Sequence, residues 1–390
     1  MFLGTVYRTS RFALGIGTIA FSPIVAGHGF GERDDLPVPL WLWVTGAGAT
    51  IVLSFVIVGV FSRNHGATTA YSRVNLLEVS LLRSFAHRVP LAIVRAVAVI
   101  LLIATVLAGF VGDPNPLRNL APVMVWVVWW VGVAFVCALI GDLWALVNPF
   151  RTLFCWAEWI FERLTAGDQL SLARPYPHAL AMWPAVVGLL IFFWAELIWS
   201  GGSVPRNLAI AILIYAVVTW GGMFVYGRDV WLQNGDTFSV VFGILARFAP
   251  LELRVVDNTA VVSTCAGPAC HHKTLECVNG YHCLTKTESD RREWNLRPPA
   301  LGLLNDQQVT FSMMVLVIIL LATLTFDGLL ETPLWTHILD RTLSDEIRWV
   351  GSAALVLFSA GFLFVYLFFS ALMCRFAQRY GEKNGAGHLN

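Results

Sequence analysis

At 390 residues, 57% hydrophobic and only 13% charged, with a mean hydropathy of +0.68, the chain has too little polar surface to coat a water-soluble globule of its size. That composition belongs in a membrane, and 16 tryptophans fit a supply of interfacial anchors. A net charge of +1, with basic residues spread over loops instead of clustered with aromatics, gives nucleic-acid binding no support.

Residues 1–27 read as a secretory leader: Arg8 and Arg11 precede the apolar run FALGIGTIAFSPIVAG, and the small residues Ala26 and Gly27 stand where a peptidase would cut. Cleavage after Gly27 makes His28 the mature terminus, with its amine beside its imidazole. The alternative is an uncleaved signal anchor. Crossing a bilayer takes about 20 apolar residues, and seven later stretches meet that length, at 37–61, 90–111, 121–147, 179–200, 207–226, 309–330 and 350–374. The run Thr237 to Pro250 is too short to span and carries Arg247, which suits an interfacial or re-entrant segment. The expected fold class is therefore all-α, a polytopic membrane protein with about seven transmembrane helices after the signal peptide. Its parts are a membrane domain of five spans at 28–254, a Cys/His-rich loop at 255–308, two further spans within 309–374, and a polar tail at 375–390 that should be disordered.

A start on the periplasmic side puts the loops 62–89, 148–178 and 227–308 and the tail in the cytoplasm. Those segments hold eighteen Lys and Arg, against five on the opposite side. The leader and the positive-inside rule thus agree on a multi-pass protein of a bacterial inner membrane with a periplasmic mature terminus.

Soluble-enzyme signatures are missing: there is no HExxH pair, no GxSxG elbow and no GxxxxGK[ST] phosphate loop. Chemistry must come from polar groups in or beside the bilayer, where ionisable side chains are costly and mark function by default. Arg95 and Asp142 fall near the cytoplasmic ends of their spans and could pair or snorkel. Glu196 in FFWAELIW and Asp327 in TLTFDGLL fall toward the periplasmic ends, on the side of His28, Glu32, Asp34 and Asp35. One histidine and several carboxylates at one membrane face could hold a divalent metal ion and leave a position open for water. Interfacial charges at helix ends are the plainer reading of the same residues.

The stretch CAGPACHHKTLECVNGYHC sets Cys265, Cys270, His271, His272, Cys277, His282 and Cys283 within nineteen residues. That exceeds the needs of one tetrahedral zinc site. In a reducing cytoplasm a thiophilic metal is favoured over disulfides; a periplasmic loop would reverse that, and an unordered loop is the third reading. With every ligand a protein group, such a site is structural or sensory. Cys137, Cys155 and Cys374 read as packing residues, and His65, His87, His178 and His337 as ordinary surface or interface histidines.

The runs HGFGERDDLPVPLWLWVTGAGATIVLSF, PYPHALAMWPAVVGLL, FFWAELIW, FSVVFGILARFAP, NLRPPALGLL and ATLTFDGLLETPLW, which extend from His28 to about Trp335, resemble the bacterial integral membrane fenitrothion hydrolase family. The resemblance implies cleavage of the P–O–aryl bond of an organophosphorus triester, an apolar small-molecule substrate that partitions into the lipid bilayer. It also implies further membrane segments after the counterpart of ALMCRFAQRY, so this chain reads as a shortened relative. No motif of the family assigns catalytic residues. Glu196 and Asp327 are the expected metal ligands or general bases and His28 the third ligand. The rival expectation is a non-enzymatic transporter or metal-handling protein, in which the same charges line a path.

Overall fold

This computed structural model describes residues 73–79, 88–255, 292–304, 309–340 and 347–383, with isolated positions between 42 and 56, position 342 and the short strands at 270–271 and 276–278. The chain is mostly helical. Five helices are long and apolar enough to cross a bilayer: α1 (Arg88–Val111), α2 (Leu120–Leu139), and, further along, α6 (Pro205–Tyr226), α9 (Phe311–Leu330) and α11 (Ile347–Lys383). Between them lie α3 (Leu143–Val147), α4 (Pro149–Leu164), α5 (Trp183–Leu197), α7 (Arg228–Asn234), α8 (Thr237–Leu245) and α10 (Pro333–Asp340).

Two of the seven expected spans differ in form. The apolar run 121–147 breaks after Leu139, because Asp142 turns its carboxylate onto the Ala145 N–H at 3.0 Å and starts α3 as an N-cap. The upper part of α2, Val123–Val133, is wound as a π-helix. The run 179–200 yields only the 15-residue α5, roughly 22 Å long at 1.5 Å per residue and short of a ~30 Å hydrocarbon core. The expected first span, 37–61, lies largely outside the described residues, as do the leader and His28; the described positions between 42 and 56 are helical.

An all-α architecture also needs amending. A five-stranded antiparallel sheet, in the order β1-β5-β2-β4-β3, joins β1 (Val74–Asn75), β2 (Leu251–Val255), β3 (Cys270–His271), β4 (Glu276–Val278) and β5 (Arg292–Leu296). Its centre is held by a buried ion pair: Arg297 Nη1 donates to Glu252 Oε2 at 2.6 Å, and Arg73 Nε reaches Glu252 Oε1 at 3.1 Å.

The backbone path sorts the elements into two ends. Asn119, just before α2, donates to the Ala108 carbonyl near the end of α1, and Trp126 donates to the Gly202 carbonyl just before α6, so these termini share one end. At the other end Leu251 bonds the Ile140 carbonyl after α2, and Leu172 and Arg174 bond Phe224 and Val225 near the end of α6. The sheet therefore sits at the end where α1 begins and α6 finishes.

From that end the chain re-enters the bundle. After Tyr226 it runs back along α6 as α7, reverses at Gly235–Asp236, and returns as α8. The turn reaches the level of Tyr215, midway along α6: Asp236 Oδ1 accepts the Tyr215 hydroxyl at 2.5 Å and the Thr219 hydroxyl at 3.0 Å, while Oδ2 accepts the Ser239 N–H at 3.0 Å. The apolar run TFSVVFGILARFAP thus contributes a buried re-entrant helix, with Val241 and Phe242 fully enclosed. Irregular backbone at such depth is tolerated only inside protein. Aromatic rings provide the casing: Phe238 meets Trp129 at 4.3 Å and Phe192 at 5.0 Å, and Trp144 meets Phe242 at 5.7 Å, all edge-on.

α7 packs on α6 at Gly222, where a Cβ would collide with the Trp231 indole, whereas Gly221 next to it faces open space. Gly222→Val should destabilise the fold by about 1–3 kcal/mol through overpacking, seen as a lower midpoint of thermal unfolding in detergent, and Gly221→Val should leave the midpoint unchanged.

Candidate functional site

α5 and α9 run parallel and pack together, both starting at the sheet end, where the Met182 N–H donates to Ser312 Oγ at 3.1 Å. Their far ends carry the two intramembrane carboxylates singled out in the sequence. Glu196 and Asp327 lie within electrostatic reach of each other, and both are half-buried.

Neighbouring side chains fix the rotation of these helices. Trp194 donates its indole N–H to Ser352 Oγ on α11 at 2.8 Å and stacks on Trp199, with ring centroids 6.5 Å apart. Phe326, fully buried, meets Trp335 of α10 at 6.0 Å and Phe358 of α11 at 5.5 Å. Each carboxylate therefore sits one or two residues from an aromatic anchored on a third helix. α11 approaches α5 closely enough that Gly351 faces Ile198.

Two oxygen-donor groups from α5 and α9 suit a hard or borderline divalent ion, which would need further ligands. Among the described residues no group of three or more His, Cys, Asp or Glu converges. His28, Glu32, Asp34 and Asp35 lie outside the described residues, as do Cys265, His272, His282 and Cys283. In the sheet the backbone register sets Cys270 opposite Cys277 and His271 opposite Glu276, on neighbouring strands β3 and β4. Two of the four loop thiols thus belong to directly paired positions. The carboxylate pair and the sheet that contains β3 and β4 stand at opposite ends of the bundle.

The other intramembrane charges do structural work. Arg95 Nε donates to the Leu146 carbonyl at 2.9 Å, and Asp142 caps α3, so the two serve the same short helix through its backbone rather than as a catalytic pair.

A second polar cluster had no counterpart in the sequence reading. Between α4 and α7, Arg228 donates to Glu158 at 2.5 Å, to Cys155 Sγ at 3.0 Å and to both oxygens of Asp229, and Arg151 approaches Asp229 at 3.6 Å. Burial, the largest influence, lifts the Glu158 carboxyl above its ordinary range, and Arg228 offsets this only in part. Burial is the largest influence on Arg228 as well and opposes its charge, but Asp229, Cys155 and Glu158 together outweigh it, and the guanidinium is held above its ordinary value. The sequence signal was weak, since Glu158 and Arg228 are seventy residues apart. Asp236 was legible only as an N-cap, in GDTFS.

No family model matches the chain, and neither a curated protein nor a solved structure matches it.

Arg228→Ala strands Glu158 and Asp229 against α4 and α7 without their shared partner. A loss of about 2 kcal/mol is expected, discounted for partial exposure of the carboxylates. Unfolding in detergent would register it, and Arg228→Lys, which keeps the charge but not the fork of donors, should recover only part.

Proposed function

We propose that this chain is a membrane-bound hydrolase of apolar organophosphorus triesters, with Glu196 and Asp327 as its working pair. One observation carries the reading: two carboxylates chosen from sequence, 131 positions apart, fall at the same end of two packed helices, within electrostatic reach of each other. Isolated charge in the bilayer is expensive, so a pair that brings like charges together needs a proton or a cation between them. The sequence resemblance to the fenitrothion hydrolase family supplies the substrate class, and a neutral triester would reach the site through lipid.

In the reaction one carboxylate takes a proton from water as the water oxygen bonds to phosphorus. The P–O–aryl bond breaks, and its electron pair leaves on the nitrophenolate. The second carboxylate orients the water and balances the arriving proton. A divalent ion held by Glu196 and Asp327, with His28 as a third ligand, would acidify that water and polarise the phosphoryl or thiophosphoryl group. Zinc in the Cys265–Cys283 segment would have a structural role, for which the paired positions of Cys270 and Cys277 are a starting point.

In this reading the chain, after a cleaved leader, crosses the bacterial inner membrane with its five long apolar helices, the run 37–61 and the short α5, and His28 lies on the periplasmic side. The excess of basic residues in the loops on the sheet side supports that orientation.

A second reading, a transporter, is favoured by the re-entrant α7–α8 hairpin, because discontinuous helices ending at mid-membrane are a device of carriers. Turnover separates the two. Membranes from cells expressing the chain should release nitrophenol from fenitrothion above an empty-vector control, with loss on chelation and recovery on adding one of zinc, cobalt or manganese. Glu196→Gln and Asp327→Asn should each lower the rate at least ~100-fold, the scale of a lost general base. Well-inserted protein with no release would favour the transporter.

A further inference from the structure

The polarity of α4 is inverted relative to a helix that faces water. Its inward face carries Arg151, Cys155 and Glu158, engaged with Arg228 and Asp229. Its outward face carries Trp156, Trp159, Ile160 and Leu164, at the three- and four-residue spacing of one helical stripe, with 46%, 54%, 50% and 80% of their surface exposed. Arg163 continues that stripe and lies over the Trp159 ring at 4.2 Å. Such a face in water would be an unexplained apolar patch.

The position of α4 supplies the explanation. It packs against α1 and α6 at the end where α1 begins and α6 finishes, and the Trp220 indole of α6 donates to the Phe150 carbonyl at 3.0 Å. α1 and α6 are long and apolar enough to span, so α4 is attached at the level where the spans leave the hydrocarbon. The first turns of α1, against which α4 packs, likewise expose apolar side chains, Ile93, Val94 and Val97. Two tryptophans with an arginine stacked on one of them match the boundary between acyl chains and headgroups, where an amphipathic ring and a snorkelling guanidinium are each half satisfied.

We infer that α4 is an in-plane interfacial helix whose Trp156–Trp159–Ile160–Leu164 stripe docks into the headgroup–acyl boundary of a phospholipid leaflet, with Arg163 at phosphate level. The helix then shields the Arg228 cluster from lipid while holding the ends of α1 and α6 in register. This inference rests on the apolar helices and their placement in a bilayer, and it stands or falls separately from the hydrolase reading.

The test places the photo-crosslinking residue p-benzoylphenylalanine at Ile160 or, as a reference, at Leu213, which is 45% exposed near the middle of α6. The full chain is reconstituted in vesicles of phosphatidylethanolamine and phosphatidylglycerol, irradiated, and read by intact mass. Adducts of phospholipid mass at both positions, with the yield at 160 within about twofold of that at 213, are expected. Phospholipid adducts at 213 without any at 160 would overturn the proposal, and a covalent dimer formed through position 160 would overturn it in favour of a second copy as the occupant.

Discussion

The carboxylate of Asp236, fully satisfied at mid-membrane, is the interaction from which the rest of the bundle follows. A chain that turns halfway through a bilayer exposes backbone donors where no water can meet them. Asp236 answers the first of these by capping α8 at Ser239, and Tyr215 and Thr219 of α6 supply two hydroxyl donors to the same side chain. Three donors to one carboxylate stabilise a charge that would otherwise be prohibitive at that depth. The capped turn lets α8 stay inside, and α8 forms the post around which the aromatic residues of α2 and α5 are arranged.

That arrangement has a consequence at the far end. α5 meets the re-entrant turn at Gly188, where a Cβ would collide with Thr237, so α5 is held close to α8 and its remaining length is directed along α9. Only then do Glu196 and Asp327, near the ends of two parallel helices, come within reach of each other. The short length of α5 matters as well: Glu196 sits in its last turn, and the chain folds back immediately through Trp199 and Gly202. The carboxylate pair thus stands at the end of the bundle away from the sheet; in the proposed hydrolase that end is where an apolar ester and water would both arrive.

Much of this was legible in the sequence. Continuous apolar runs fixed α1, α6, α9 and the start of α11 to within a few residues, because a span has a length that hydropathy reads directly. α11 itself continues as helix to Lys383, nine residues past the expected 374 and into the tail expected to be disordered. The run beginning at Thr237 was recognisably too short to cross. Glu196 and Asp327 stood out because charge within a span is rare, though nothing local showed that they would meet. What the sequence concealed has physical reasons. α4 alternates charge and aromatics at helical spacing with its polar face turned inward, so its average hydropathy looks like a loop. The break at Asp142 depends on a cap rather than on polarity. The sheet depends on pairing between strands as distant as Val74 and Leu296, and the Arg228 cluster on two helices from different parts of the chain. The reaction itself is a proposal from resemblance and from the carboxylate pair.

The claim that Glu196 and Asp327 act as one unit is tested most directly by a double-mutant cycle on aryl phosphotriester hydrolysis. Glu196→Gln, Asp327→Asn and the double variant would be compared at equal amounts of inserted protein. Groups that share one proton or one ion should give a double variant no slower than the worse single one, because the first substitution already removes the unit. Rate losses that multiply, or single variants that hydrolyse like the parent, would contradict the account.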